Sequence, residues 1–341
     1  MLNRPDLSGR YFKDNKQSKI LVFIKRSINF LTLAVITLSL SGCIAPQTER
    51  FLTTSTNTEH LIENVPFYPQ QEFFCGPTTI AEVLNFYGES IKPNDIAPSL
   101  FIPGRNGSLQ VEMASSIRQL GYIAYQDQLN LTELINIVEK DLPVIVLQNN
   151  GLSWYPRWHY AVVIGYEKAS QSLIMHTGLT ANRKVDMSLF ERTWKRAKHW
   201  AIAPMPVSLA PTGLKEIPYL QAAQDLITVG QQTNGVIALT TAYNHWKESH
   251  LPALLLANHF IESEPNRARE WYKKAFKLAP NNAHLLNNYA YTLGKLGCKN
   301  TAKQLIQQAI DAEPNNENYK NTLNTIRSMI PNAKRIEECS L

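Results

Sequence analysis

A cysteine that attacks a carbonyl needs a group to take its proton, a donor to receive charge on the carbonyl oxygen, and surroundings that favour the sulfur anion. The 341-residue sequence offers one set of residues for that work. Cys75 stands in "QQEFFCGPTTIAEVLNFYG". Gly76-Pro77, followed by the apolar positions Ile80, Val83, Leu84, Phe86 and Tyr87 and then Gly88, predicts an amphipathic helix that starts at the cysteine. Proline in a first turn gives up an N–H that has no partner there anyway. The dipole and free amides at that helix end favour a thiolate. Gln70 and Gln71 lie just upstream, and a carboxamide so placed can donate to a forming oxyanion. His159, in "RWHYAVVIGYE", is the best-placed candidate for the proton-accepting group.

These residues need elements to hold them. Tyr160–Tyr166 reads as a buried, β-branched strand with His159 at its start, and "SLIMHTG" follows after a short polar turn as a second strand ending near His176. "PVIVLQNN" and "HWAIAPMPV" supply two more. A thiol on an early helix and an imidazole on a later sheet make an α+β plan. Trp154, Tyr155, Trp158 and Trp200 suit either a peptide cleft or the core, and Glu82 falls on what should be the solvated side of its helix. No His or Cys pairing has zinc spacing, so neither metal nor cofactor is expected.

Three pieces, "VPFYPQ" with its glutamine five residues before the cysteine, "CGPTT" opening a helix and "HYAVVIGY" on a strand, together resemble the papain-like cysteine peptidases of the bacteriocin-processing, or double-glycine, type. The resemblance spans 64–207. It implies that Cys75 is the nucleophile, His159 the base and then the acid, and Gln70 the oxyanion donor with Gln71 as fallback. Such peptidases usually add an Asp or Asn on the strand after the histidine. His176 stands at that place here, with Asn182 and Asp186 further candidates in the loop beyond. A neutral imidazole can hold the tautomer of His159 but cannot stabilise an imidazolium as a carboxylate does.

The flanks carry different signals. Residues 1–42 hold a basic segment ending Lys25-Arg26, then the apolar run "SINFLTLAVITLSL", which is too short to span a bilayer and reads as a signal segment. "LSGC" after it is similar to the lipobox of bacterial lipoproteins, which implies that Cys43 is lipidated and becomes the first mature residue. Ile44 rather than Asp follows it, and among lipoproteins that favours the periplasmic face of the outer membrane. Residues 43–63, polar and rich in Thr, read as a tether. After a connector at 208–218 the pattern turns helical over 219–331, with a tail at 332–341. Ala268, Tyr272, Ala275 and Pro280 recur 34 residues on as Ala302, Ile306, Ala309 and Pro314, which looks like tetratricopeptide repeats and implies a concave surface for a protein partner. The expected fold is thus an α+β papain-like domain followed by an all-α repeat domain.

Without Cys43 three cysteines remain, an odd number for an oxidising compartment, and a Cys298–Cys339 bridge would leave Cys75 free. The formal charge of +6 gives no sign of a nucleic-acid partner, because residues 1–42 carry most of it and the rest sets 27 Lys and Arg against 26 Asp and Glu. Two readings of function stand. One is a lipid-anchored periplasmic cysteine peptidase whose repeats recruit a protein substrate or partner. The other is a papain-like module that binds a peptide without cutting it.

Overall fold

The computed structural model describes residues 44–101, 107–330 and 339. The signal segment, Cys43, and all of the tail but Cys339 lie outside them. No helix among the described residues is long and apolar enough to cross a membrane.

Seven strands form one antiparallel sheet. They are β1 (Glu59–Leu61), β2 (Ile123–Gln128), β3 (Val144–Asn149), β4 (Trp158–Glu167), β5 (Ser172–Thr177), β6 (Thr180–Asp186) and β7 (Trp200–Met205). Their order is β2-β7-β3-β4-β5-β6, with β1 pairing to β4 off that path. All of β3 and β7 is buried, which explains why both read as unbroken apolar runs rather than alternating ones. The four strands expected from sequence are β3, β4, β5 and β7. The edge strands β2 and β6 were not evident, since their exposed polar residues break the apolar runs.

The helix α2 (Cys75–Phe86) follows α1 (Pro46–Thr54) and packs on β4. It departs from the amphipathic expectation: every residue from Gly76 to Leu84 is buried. Glu82 is fully buried, with Oε1 accepting from Tyr68 N at 3.0 Å, so its predicted solvated position is wrong. A helix threaded through the centre of a domain has no polar side, whatever its sequence period says. Four further helices complete the domain, α3 (Pro93–Leu100), α4 (Gln110–Gln119), α5 (Leu131–Val138) and α6 (Met187–Lys195).

The expected tether is not one. Its first half is α1, whose opening amides are capped by a buried carboxylate: Glu191 Oε2 accepts from Thr48 N at 2.8 Å and from Thr48 Oγ1 at 2.9 Å. Phe51 of α1 is 1% exposed and meets Tyr166 edge-on. Its second half is β1, whose His60 carbonyl oxygen would lie 2.4 Å from a Cβ at Gly165, so only glycine lets β1 approach β4 there. Isolated apolar anchors in a polar stretch, each meeting a distant partner, leave no period to read.

The connector leads into seven helices, α7 (Glu216–Thr228), α8 (Gln232–His245), α9 (Leu251–Phe260), α10 (Pro265–Leu278), α11 (Ala283–Lys295), α12 (Lys299–Ala312) and α13 (Glu317–Ser328). They pack as successive hairpins closed by α13. Ala268, Tyr272 and Ala275 on α10 and Ala302, Ile306 and Ala309 on α12 are all fully buried, so the 34-residue recurrence is a recurrence of packing. Cys298 and Cys339 form a disulfide. The chain is therefore an α+β domain followed by an all-α repeat region.

Candidate functional site

Phe73 presents the thiol. Its φ of 65° is rare for a bulky residue, and it turns the chain so that Phe74 N bonds Gln71 O at 3.1 Å and α2 starts at Cys75. The backbone N–H groups of Tyr160 in β4, of Gly76 and of Cys75 itself lie near enough to the sulfur to favour its anion. The thiol thus rests against the residue that follows His159. Cys75, His159, Gln70 and Gln71 line one cleft of about 1630 Å³.

The hairpin turn between β5 and β6 orients two of these groups from adjacent residues. Thr177 Oγ1 lies 2.8 Å from His159 Nε2. When that nitrogen carries the proton and donates it to Thr177, Nδ1 is left as acceptor. Gly178 N donates to Gln70 Oε1 at 3.2 Å, and Gly178 O accepts from Gln70 N at 3.0 Å. That fixes the carboxamide with its Nε2 buried and without a partner among the described residues. A buried donor left open costs about 1–3 kcal/mol unless something fills the place. Gln71 is exposed and shows no comparable restraint.

His176 does not make the bond expected of it. Strand alternation turns it away from Thr177, so its Nε2 meets Val65 O at 3.0 Å and its Nδ1 accepts from Asn182 N at 3.2 Å. The group that bonds the His159 ring is Thr177, one residue later. Asp186 caps α6 through Leu189 N at 2.8 Å, and exposed Asn182 reaches His176 only through its backbone N. Sequence reasoning missed Thr177 because it looked for a carboxylate or amide. A hydroxyl at the end of the strand beside that of His159 was the available signal.

Burial pushes the Cys75 thiol up, and the three amide N–H groups oppose that without overcoming it. Burial also pulls the His159 imidazole down, and the Arg183 guanidinium on β6 adds to the shift. Both directions favour a neutral thiol and a neutral imidazole, so the expected resting thiolate is not what these surroundings favour. No group of three or more His, Cys, Asp or Glu that would hold a metal ion occurs among the described residues.

The sequence of this region has a counterpart among known families. Residues 62–202 match the model of the Peptidase_C39 like family. The chain carries a Peptidase_C39-like domain. Residues 271–304 match a tetratricopeptide repeat model, which falls on α10 to α12 of the helical region. Among solved structures, the chain is similar to a putative C39-like peptidase from Bacillus anthracis at 19% identity, covering 44% of this chain and 98% of that one with a TM-score of 0.37. It is also similar to the peptidase domain of Streptococcus ComA, a bifunctional ABC transporter, at 21% identity, 42% and 100% coverage and a TM-score of 0.34. The second tetratricopeptide domain of human RPAP3, solved with an HSP70 peptide, aligns at 16% identity, 33% and 96% coverage and a TM-score of 0.31. No curated protein matches the chain.

Proposed function

We propose that the C39-like domain is a cysteine peptidase, anchored by lipid at Cys43 to the periplasmic face of the outer membrane, with the repeat region engaging a protein substrate or partner. The observation that carries the enzymatic part is the buried, unpartnered Nε2 of Gln70, fixed by Gly178 in the cleft that holds Cys75 and His159. A carboxamide N–H left open in the cleft that holds the thiol is the kind of donor an oxyanion needs.

In this mechanism His159 Nδ1 takes the Cys75 proton as sulfur bonds to the substrate carbonyl carbon. The oxyanion receives hydrogen bonds from Gln70 Nε2 and from the Cys75 amide. Collapse breaks the C–N bond, and His159 gives its proton to the leaving amine. Water, deprotonated by the same imidazole, then hydrolyses the thioester, and the thiol takes its proton back. Thr177 holds the ring throughout. The test is labelled-terminus proteomics of cells carrying wild-type or Cys75→Ala protein: peptide ends that depend on Cys75 are expected, and identical sets of ends would defeat the peptidase reading. Labelling with an alkyne fatty acid that Cys43→Ala abolishes tests the anchor.

A second reading draws on Thr177 and Arg183. A neutral hydroxyl in place of a carboxylate, with a cation nearby, disfavours imidazolium, and a domain so arranged suits peptide binding without turnover. Cys75→Ala protein that still binds peptide, beside a wild type that cuts none, would favour it.

A further inference from the structure

The cleft that holds Cys75 and His159 does not end with the C39-like domain. Its wall runs along α4 through Val111, Ala114 and Arg118 and reaches Gln221, Ala222 and Asp225 of α7, the first helix of the repeat region. Charge in it is one-sided. Arg118 and Asp225 neutralise each other at 3.0 Å. Arg157, Arg196 and Lys198 also line the cleft and have no ion-pair partner among the described residues, and the remaining carboxylate of the wall is the exposed Glu72.

These cations are placed by structure. Arg196 Nη1 donates to Asn149 O at 3.1 Å and to Gly151 O at 2.8 Å, which fixes its guanidinium on the turn that follows β3. Arg157 lies against the same turn, its Cγ 3.2 Å from where a Gly151 Cβ would stand. It precedes His159 by two residues, just before β4 begins, and both line the cleft. Trp158, 53% exposed, stands between them in sequence and lines the cleft as well.

A second, independent observation lies in the same wall. Trp200 is only 5% exposed, and its indole Nε1 is buried without a partner among the described residues. Such a donor usually finds an acceptor.

We propose that this part of the cleft is a subsite for acidic peptide: an extended segment lies along it from Cys75 towards α7, with a substrate carboxylate meeting Arg157, Arg196 and Lys198 and a substrate oxygen accepting from Trp200 Nε1. The cleavage consequence rests on the peptidase reading; the binding does not. A carboxylate bound there also offsets the Arg183 field at His159, so the substrate supplies negative charge that no side chain of the hairpin provides.

The test uses immobilised full-length Cys75→Ala protein and a peptide library of known sequences, with retained peptides read by mass spectrometry at low and high salt. Peptides rich in Asp and Glu are expected to be enriched roughly tenfold over charge-neutral ones, the sum of a few partly exposed ion pairs. The preference fades at high salt. Arg157→Glu/Lys198→Glu protein, checked for an unchanged melting temperature, is expected to lose the acidic preference or reverse it, and Trp200→Phe to weaken retention at both salts. Equal retention of acidic and neutral peptides, no retention at all, or an acidic preference indifferent to the charge reversal would overturn the proposal. The cleavage assay stays separate: acidic retention with no Cys75-dependent cleavage removes the peptidase and keeps the subsite, whereas cleavage without acidic preference does the reverse.

Discussion

At the residue scale the site differs from a carboxylate-supported dyad in one bond, from His159 Nε2 to Thr177 Oγ1. A hydroxyl fixes the ring and its tautomer without lending charge. Thr177→Val removes the acceptor and little volume, and the loss of one neutral hydrogen bond corresponds to at most about tenfold in kcat with KM nearly unchanged. Thr177→Asn is expected to restore the rate; steady-state kinetics on a peptide cleaved by the wild type check both, and a Val variant as fast as wild type would remove Thr177 from the mechanism. A companion prediction concerns pH. With the Cys75 pKa raised and that of His159 lowered, there is no pH window in which an ion pair dominates at rest. The rate of iodoacetamide labelling at Cys75 is expected to climb through alkaline pH with an inflection above that of an ordinary thiol. Cys298 and Cys339 are oxidised and do not compete. A rate already level from pH 5 would show a resting thiolate and contradict this account.

At the element scale α2 shows which parts of the fold a sequence exposes. The start of the helix was legible because Gly-Pro, a proline in the first turn and a run of apolar residues are local signals. The four central strands were legible for the same reason, and so was the repeat, since its spacing is written along the chain. The roles of α1, β1 and Glu82 were not. Each depends on a partner far away in sequence, Glu191 for α1, Gly165 for β1 and the Tyr68 amide for Glu82. Thr177 escaped for a related reason: the bond it makes crosses from β5 to β4, and its residue type was not the one sought.

Glu82 carries a prediction of its own. Burial pushes its carboxyl up to about 8, and the Tyr68 N–H only partly opposes the shift. Folded protein therefore keeps a proton that the unfolded chain releases above the ordinary carboxylate value, and stability falls as pH rises between that value and about 8. At pH 7 the cost is on the order of 3 kcal/mol. Glu82→Gln keeps an acceptor for Tyr68 N and cannot ionise. It is expected to flatten the stability profile from pH 5 to 8 and to be the more stable protein at pH 8, read from urea unfolding at each pH. Equal slopes in the two proteins would mean that Glu82 holds no proton in the folded state. Because Tyr68 precedes Gln70 by two residues, the same carboxyl ties α2 to the segment bearing Gln70.

At the scale of the whole molecule, the repeat region is built onto the C39-like domain rather than hung from it. Helix α7 packs on the edge strand β2. Lys215, just before it, donates from its backbone N to Tyr125 Oη at 3.1 Å and pairs through Nζ with Asp127 at 2.9 Å and Glu133 at 3.0 Å. Those ion pairs are half exposed and worth under about 1 kcal/mol each. Tyr219, Ala223 and Leu226 of α7 are fully buried. Leu226→Ala is expected to cost about 2–5 kcal/mol by cavity formation. If the two regions unfold as one cooperative body, hydrogen exchange reports that loss equally in peptides from β2 and from α8. Reduction of the Cys298–Cys339 disulfide, which closes a 41-residue separation and is worth up to about 4 kcal/mol in the chain-entropy account, should then lower protection in the C39-like domain too. Loss confined to the helices after α7 in both experiments would make the repeats an independently folding module, and a cleft walled by α7 would then open whenever that module does.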